Sequence, residues 1–164
     1  MMRPLTFAWI LLTGLTVNAQ NGEYVDPTIG NVGALLQPTR PTVQLPHQMI
    51  RVYPNRKDYI DDRITDFPLI VVSHRLGQAF SVRPSRGGSG DEPMPYDQGS
   101  EITRPWYYAT YLLDDDVAVD FTPGRKTGIY RFAFSGQRPR NVLFGTYNKG
   151  ESAWHFDGDQ TLHG

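Results

Sequence analysis

Apolar residues in this chain recur mostly at every second position. Over 117–122, Val117, Val119 and Phe121 alternate with Ala118, Asp120 and Thr122, and successive side chains of an extended strand face opposite sides. The pattern predicts a strand with one buried face. Tyr130, Phe132 and Phe134 alternate in the same way with Ile129, Arg131 and Ala133, as do Trp154 and Phe156 with Ala153, His155 and Asp157. Shorter strands are predicted over 49–53, 69–73, 79–83, 106–112 and 142–146. From Gln20 onward no window of about 12 residues carries apolar positions at i, i+3, i+4 and i+7, so no amphipathic helix is predicted.

The connections carry turn chemistry. Leu113-Asp114-Asp115-Asp116 joins two of these strands, and Pro123-Gly124 suits a type II turn, in which Pro presets φ and Gly admits a positive one. Both read as antiparallel hairpins. Two sheets packed face to face would bury aromatic stripes that a single sheet leaves wet, so the predicted fold is all-β, an antiparallel β-sandwich. The segment 84–105, rich in Gly and Pro, shows no periodicity and reads as a long loop of the kind that is functional or mobile.

Composition supports many turns between short elements, with 16 Gly and 13 Pro among 164 residues. Lys and Arg number 16 against 17 Asp and Glu, a net charge of −1, which supplies no electrostatic footprint for nucleic acid. Cysteine is absent, so no disulfide or thiolate metal site enters the picture. At the N-terminus, Arg3 precedes an apolar run over 5–17, and Val17-Asn18-Ala19 places small residues where a signal peptidase cuts. The run is about 13 residues, short of the roughly 20 that span a bilayer. Residues 1–19 therefore read as a signal peptide and 20–164 as the domain, secreted or periplasmic, with no membrane span after cleavage.

Hydrolase, nucleotide and zinc-protease signatures are missing, and Gly87-Gly88-Ser89-Gly90 lacks the nucleophile-elbow spacing. His47, His74, His155 and His163 are too scattered for a local metal motif, although folding can bring any two together. Asp114-Asp115-Asp116 and Asp157-Gly158-Asp159 suit turns better than calcium loops. Glycoside hydrolysis needs two carboxyl groups across the bond, and no spacing among Glu23, Glu92, Glu101 and Glu151 selects a pair. Trp106-Tyr107-Tyr108 beside Pro105 is open to two readings, a sugar-stacking platform or core packing.

Four collinear stretches resemble glycoside hydrolase family 92, the exo-acting α-mannosidases. Tyr24-Val25-Asp26-Pro27-Thr28-Ile29-Gly30 is similar to that family's V-x-P-x-I-G opening. Pro46-His47-Gln48-Met49, in the run that ends at Pro54, resembles its P-F-G-M strand, and Ser73-His74 its F-S-H element. Glu101-Ile102-Thr103-Arg104-Pro105-Trp106-Tyr107-Tyr108 resembles E-x-A-x-P-G-Y-Y, with Thr127-Gly128-Ile129-Tyr130-Arg131-Phe132-Ala133-Phe134 following as the later R-x-G-x-H-R-Y-T-F. The departures include His47 for Phe, Trp106 for Gly and Arg75 after His74, and they imply an altered glycan preference.

The resemblance implies an N-terminal β-sandwich, followed in the family by a longer helical domain that carries calcium and the inverting acid and base. That helical domain is absent here, so the resemblance implies a sandwich truncated at its C-terminus, with no catalytic or metal residue assigned in this chain. It implies that His74, in the Ser-His element, and Glu101, before the Pro-aromatic strand, approach a substrate cleft, and Trp106 joins them as the exposed-aromatic candidate. The implied partners are a mannose-containing glycan and the helical domain of the same polypeptide, and calcium is implied for the whole enzyme. The alternative is a stand-alone secreted carbohydrate-binding or interaction module, a choice that fold alone does not make.

Overall fold

The computed structural model describes residues 20–29, 42–57, 61–68, 78–88, 90–147 and 152–164. The predicted strand over 69–73 and the signal peptide over 1–19 lie outside the described residues. Two antiparallel sheets organise the rest. The larger has the order β5-β6-β7-β8, from β5 (Ile102–Arg104), β6 (Tyr107–Leu112), β7 (Val117–Pro123) and β8 (Gly128–Phe134). The smaller has the order β2-β3-β9, from β2 (Phe67–Pro68), β3 (Phe80–Ser85) and β9 (Asn141–Thr146). Two short pairs complete the set: β1 (Arg63–Ile64) with β4 (Met94–Pro95), and β10 (His155–Asp157) with β11 (Thr161–His163).

Alternation decides which faces meet. Tyr108, Thr110 and Leu112 on β6 and Val117, Val119 and Phe121 on β7 are all buried, as the sequence pattern requires. From the smaller sheet, Phe67 and its register partner Val82 point into the same core. The Phe67 ring lies 6.3 Å from Tyr108, 6.0 Å from Tyr130 and 6.3 Å from Phe132, so one aromatic side chain joins both sheets. Tilted aromatic pairs at such spacings add to the area they bury. The predicted sandwich is what the chain forms. Among the described residues no helix is long and apolar enough to cross a membrane.

Arg86 ties the two sheets at one end. From the end of β3 its Nε donates to the Asp115 carbonyl at 2.6 Å and its Nη2 to the carbonyls of Asp116 at 3.0 Å and Ser135 at 2.5 Å. Its guanidinium also lies 5.0 Å from the centre of the Phe134 ring. A planar cation with five donors is suited to gathering turn carbonyls in this way.

Three sequence expectations are corrected. The segment 84–105 is not one aperiodic loop: β3 runs on to Ser85, Met94–Pro95 pairs with β1, a short 3-10 turn spans Gln98–Ser100, and β5 follows. Elements of two or three residues are too short to leave a periodic trace. The stretch 49–53 forms no ladder, and Val52 makes a single bridge to Val43. Finally, Gly124 does not adopt a left-handed φ. The β7–β8 loop spans four residues and closes with Gly124 N–H donating to the Thr127 carbonyl at 2.6 Å. Space still favours Gly there, because a Cβ would meet Thr127 Oγ1 at 2.9 Å and the Thr127 carbonyl oxygen at 3.2 Å.

Candidate functional site

Of the three residues proposed from sequence, the structure describes two, and His74 lies outside the described residues. Glu101 follows the 3-10 turn, whose start is capped by Asp97 Oδ1 accepting from Gly99 N–H at 2.9 Å. This cap directs the chain so that the Glu101 side chain turns inward beside β6. There Tyr108 Oη donates to Glu101 Oε1 at 2.8 Å, and Arg56 Nη1 lies 3.2 Å from both Glu101 oxygens. Arg56 Nη1 also donates to Tyr96 Oη, which in turn donates to the Asp61 carbonyl at 3.1 Å.

This network is largely removed from water. The Arg56 side chain is 2% exposed and that of Glu101 11%. Burial works against the Arg56 charge, but the Glu101 carboxylate, with Tyr96 and Tyr108, outweighs it and holds its pKa above the ordinary arginine value. Burial, then the Glu101 charge, pushes the Tyr108 phenol well above its usual range, so Tyr108 remains a donor. The sequence offered Glu101 but not its partners. Arg56 is 45 residues away in the chain, and no local pattern marks such a pair.

Trp106 stands apart from this network. It occupies the two-residue turn between β5 and β6, where Arg104 pairs with Tyr107, and it is 41% exposed. Glu101 and this turn sit at opposite ends of β5, about 13 Å apart at the usual strand rise. One part of the indole rests against the N-terminal 3-10 helix Gln20–Tyr24, since a Cβ on Gly22 would stand 2.8 Å from Trp106 Cη2. Trp106 needs no positive φ in this turn, so an indole is accommodated where the resemblance has glycine. Of the platform Trp106-Tyr107-Tyr108, Tyr108 is core, whereas Tyr107 faces outward and donates to Asp120.

Folding does bring two histidines together, as His155 and His163 stand opposite each other in the β10–β11 hairpin with ring centres 5.1 Å apart. Among the described residues no three His, Asp or Glu side chains converge on one point.

Two facing antiparallel sheets that share one aromatic core, with an internally paired carboxylate beside β6, define a β-sandwich domain. The sequence matches the family model described as "Glycosyl hydrolase family 92 N-terminal domain" over residues 24–164, and the chain belongs to that family. Among solved structures it is similar to the family GH92 inverting mannosidase BT2199 from Bacteroides thetaiotaomicron, with a TM-score of 0.63 and 18% identity over 74% of this chain and 19% of that one. It is also similar to the family GH92 α-mannosidase BT3965 from the same organism, with a TM-score of 0.62 and 21% identity over 75% of this chain and 20% of that one. These likenesses show the fold. The chain thus spans about a fifth of the length of these solved relatives. No curated protein matches it.

Proposed function

We propose that this domain is the secreted or periplasmic N-terminal part of an α-mannosidase-type glycoside hydrolase, shaping one wall of a glycan-binding cleft without catalysing hydrolysis alone. The match over residues 24–164 to the family's N-terminal domain carries this reading. Two features of the structure support it. Glu101 is committed to Arg56 and Tyr108, which suits a rigid support better than a proton-transfer group needing a free path to substrate. Val142, Phe144, Tyr147, Trp154 and Phe156 remain between 39% and 76% exposed, and Trp154 packs on Phe144 at 5.5 Å. Aromatic surface of this kind is the usual mark of a docking face, here for the helical domain that completes the cleft. Trp106 supplies the exposed ring that contacts mannose, and calcium belongs to the completed enzyme.

The test is to titrate the full chain with α-mannobiose, follow backbone amides by NMR, and assay the same sample for released mannose. No release and no saturable shift at Trp106 or around Glu101 is expected of half a cleft. Release would overturn the reading and demand a carboxylate pair within this chain. Saturable shifts at Trp106 without release would instead establish the stand-alone binding module.

A further inference from the structure

In the β10–β11 hairpin the register sets His155 against His163 and Asp157 against Thr161, while Phe156 pairs with Leu162. Side chains alternate along each strand, so His155, Asp157, Thr161 and His163 share one face of the hairpin. All four are exposed, so neither imidazole is there to fill a core. The turn between the strands has Gly158 at a φ of 68°, which glycine adopts without strain, and it keeps the two histidines opposite each other.

The two rings have the spacing of ligands to a single ion. Their centres are 5.1 Å apart. Two imidazoles bound to one tetrahedral metal at about 2.0–2.1 Å have ring centres about 5 Å apart. The ring planes lie 17° from parallel, so a turn of the rings is needed to aim a nitrogen of each at one point. Rotation about χ2 supplies it, because the Cβ–Cγ axis runs through the ring centre and leaves the spacing unchanged, and the χ2 wells of histidine are broad. Beside the pair, Asp157 Oδ2 lies 3.7 Å from His163 Nε2. A carboxylate there adds negative charge near a bound cation and can hold the second N–H of the ring, the usual arrangement around metal-bound imidazole.

Ligand chemistry selects the ion. Imidazole nitrogen suits zinc, copper and nickel, whereas calcium takes oxygen ligands. Two ring nitrogens leave the remaining positions to water. The strands themselves have three residues each, and a two-stranded hairpin is marginal by itself. An ion held by one histidine from each strand joins them.

We propose that His155 and His163 bind a divalent transition-metal ion of the zinc class, which clamps β10 to β11. The site is independent of the cleft reading above: Phe156, part of the docking face, lies on the opposite side of β10, and the ion is not the calcium of the completed enzyme.

The experiment is a titration of the full, untagged chain with zinc chloride in the presence of excess calcium chloride, followed by NMR at the histidine rings and the backbone amides. Both rings are expected to shift together and saturably, and amide exchange across 155–163 to slow. His155→Gln and His163→Gln should each weaken binding about tenfold or more, because either change turns a chelate into a single ligand, while His47→Gln should leave it unchanged. The substituted positions are exposed, and the dispersed spectrum reports that each variant is folded. Four results would overturn the proposal: no saturable shift at either ring, a shift confined to one ring, undiminished affinity in both hairpin variants, or binding that leaves amide exchange in the hairpin unchanged.

Discussion

The two sheets treat the charges on their outer faces in opposite ways. On the four-stranded sheet, Asp120 accepts from Arg131 Nε at 2.8 Å, lies 2.8 Å from Arg131 Nη2 and accepts from Tyr107 Oη, so its carboxylate is fully answered at a partly wet surface. On the three-stranded sheet, Asp66 is buried with one oxygen unanswered, and the adjacent Arg83 spends its donors on backbone carbonyls. The same contrast separates Asp66 from Glu101, which is also shielded from water but held by Arg56 and Tyr108. A carboxylate with both oxygens answered is structure, whereas one kept dry with an oxygen unanswered costs stability.

The largest effect should come from breaking the paired carboxylate. Glu101→Ala leaves the Arg56 guanidinium buried without its counter-charge, a change that costs about 3–5 kcal/mol. Urea denaturation followed by circular dichroism reads this as a large drop in midpoint. Replacing both partners, Arg56→Met with Glu101→Leu, should recover most of the loss, because removing a buried pair together spares the desolvation of either charge. Equal damage from the single and double variants would mean that the network's phenols, not its ion pair, hold the region.

Removing the half-answered carboxylate of Asp66 should act in the other direction. Burial lifts the Asp66 pKa from 3.8 to about 6, against the smaller opposing effects of the Asn55 hydrogen bond and the Arg83 charge. A raised folded-state pKa means that the folded chain holds this proton more tightly than the unfolded one. Stability from this group is therefore full below about pH 4, falls as pH rises towards 6, and stays lost above it. The difference corresponds to about 3 kcal/mol. Asp66→Asn should accordingly stabilise the chain by up to that amount at pH 7.5 and by nothing at pH 3.5. The groups facing Asp66 are Asn55, Arg83 and Tyr130, and the Tyr130 phenol is itself pushed well above its usual range by burial and then by Asp66, so neither it nor Arg83 titrates in this window. Thermal melts of both proteins at the two pH values give the difference directly. A gain at pH 3.5 as large as that at pH 7.5 would show that charge is not its source.

Three strands of the four-stranded sheet, β6 to β8, were legible in the sequence because they are six or seven residues long and alternate, as Val117 to Phe121 show directly, whereas β5, with three residues, was not. The three-stranded sheet was less so. Its β2 is two residues long, and β3 hides serine and proline on faces that read as exposed, as Ser81, Pro84 and Ser85 are all buried. Glu101 could be singled out because it sits in a stretch resembling a known family, and Trp106 because three aromatic residues follow Pro105 there. Arg56, Asp66 and Arg83 could not, since their importance arises from contacts across sheets and from what burial does to a charge. Gly145 needed the register itself, because only its pairing with Ser81 shows why a side chain is excluded.

The smallest expected effect tests whether the exposed turn belongs with the structural or the functional side of the comparison. Trp106 keeps 41% of its surface in water, and its buried part rests on Gly22. Fully burying a large apolar side chain contributes about 1.5–3 kcal/mol, so Trp106→Ala should cost about 1 kcal/mol, well below Glu101→Ala. The same urea series that measures Glu101 measures this. A loss matching that of Glu101→Ala would make the indole a structural anchor for the N-terminal 3-10 helix and remove the reason to keep it as a sugar contact. A small loss leaves a large, 41% exposed aromatic in a two-residue turn that its own fold does not require, which keeps it available as a contact to a partner outside the sandwich.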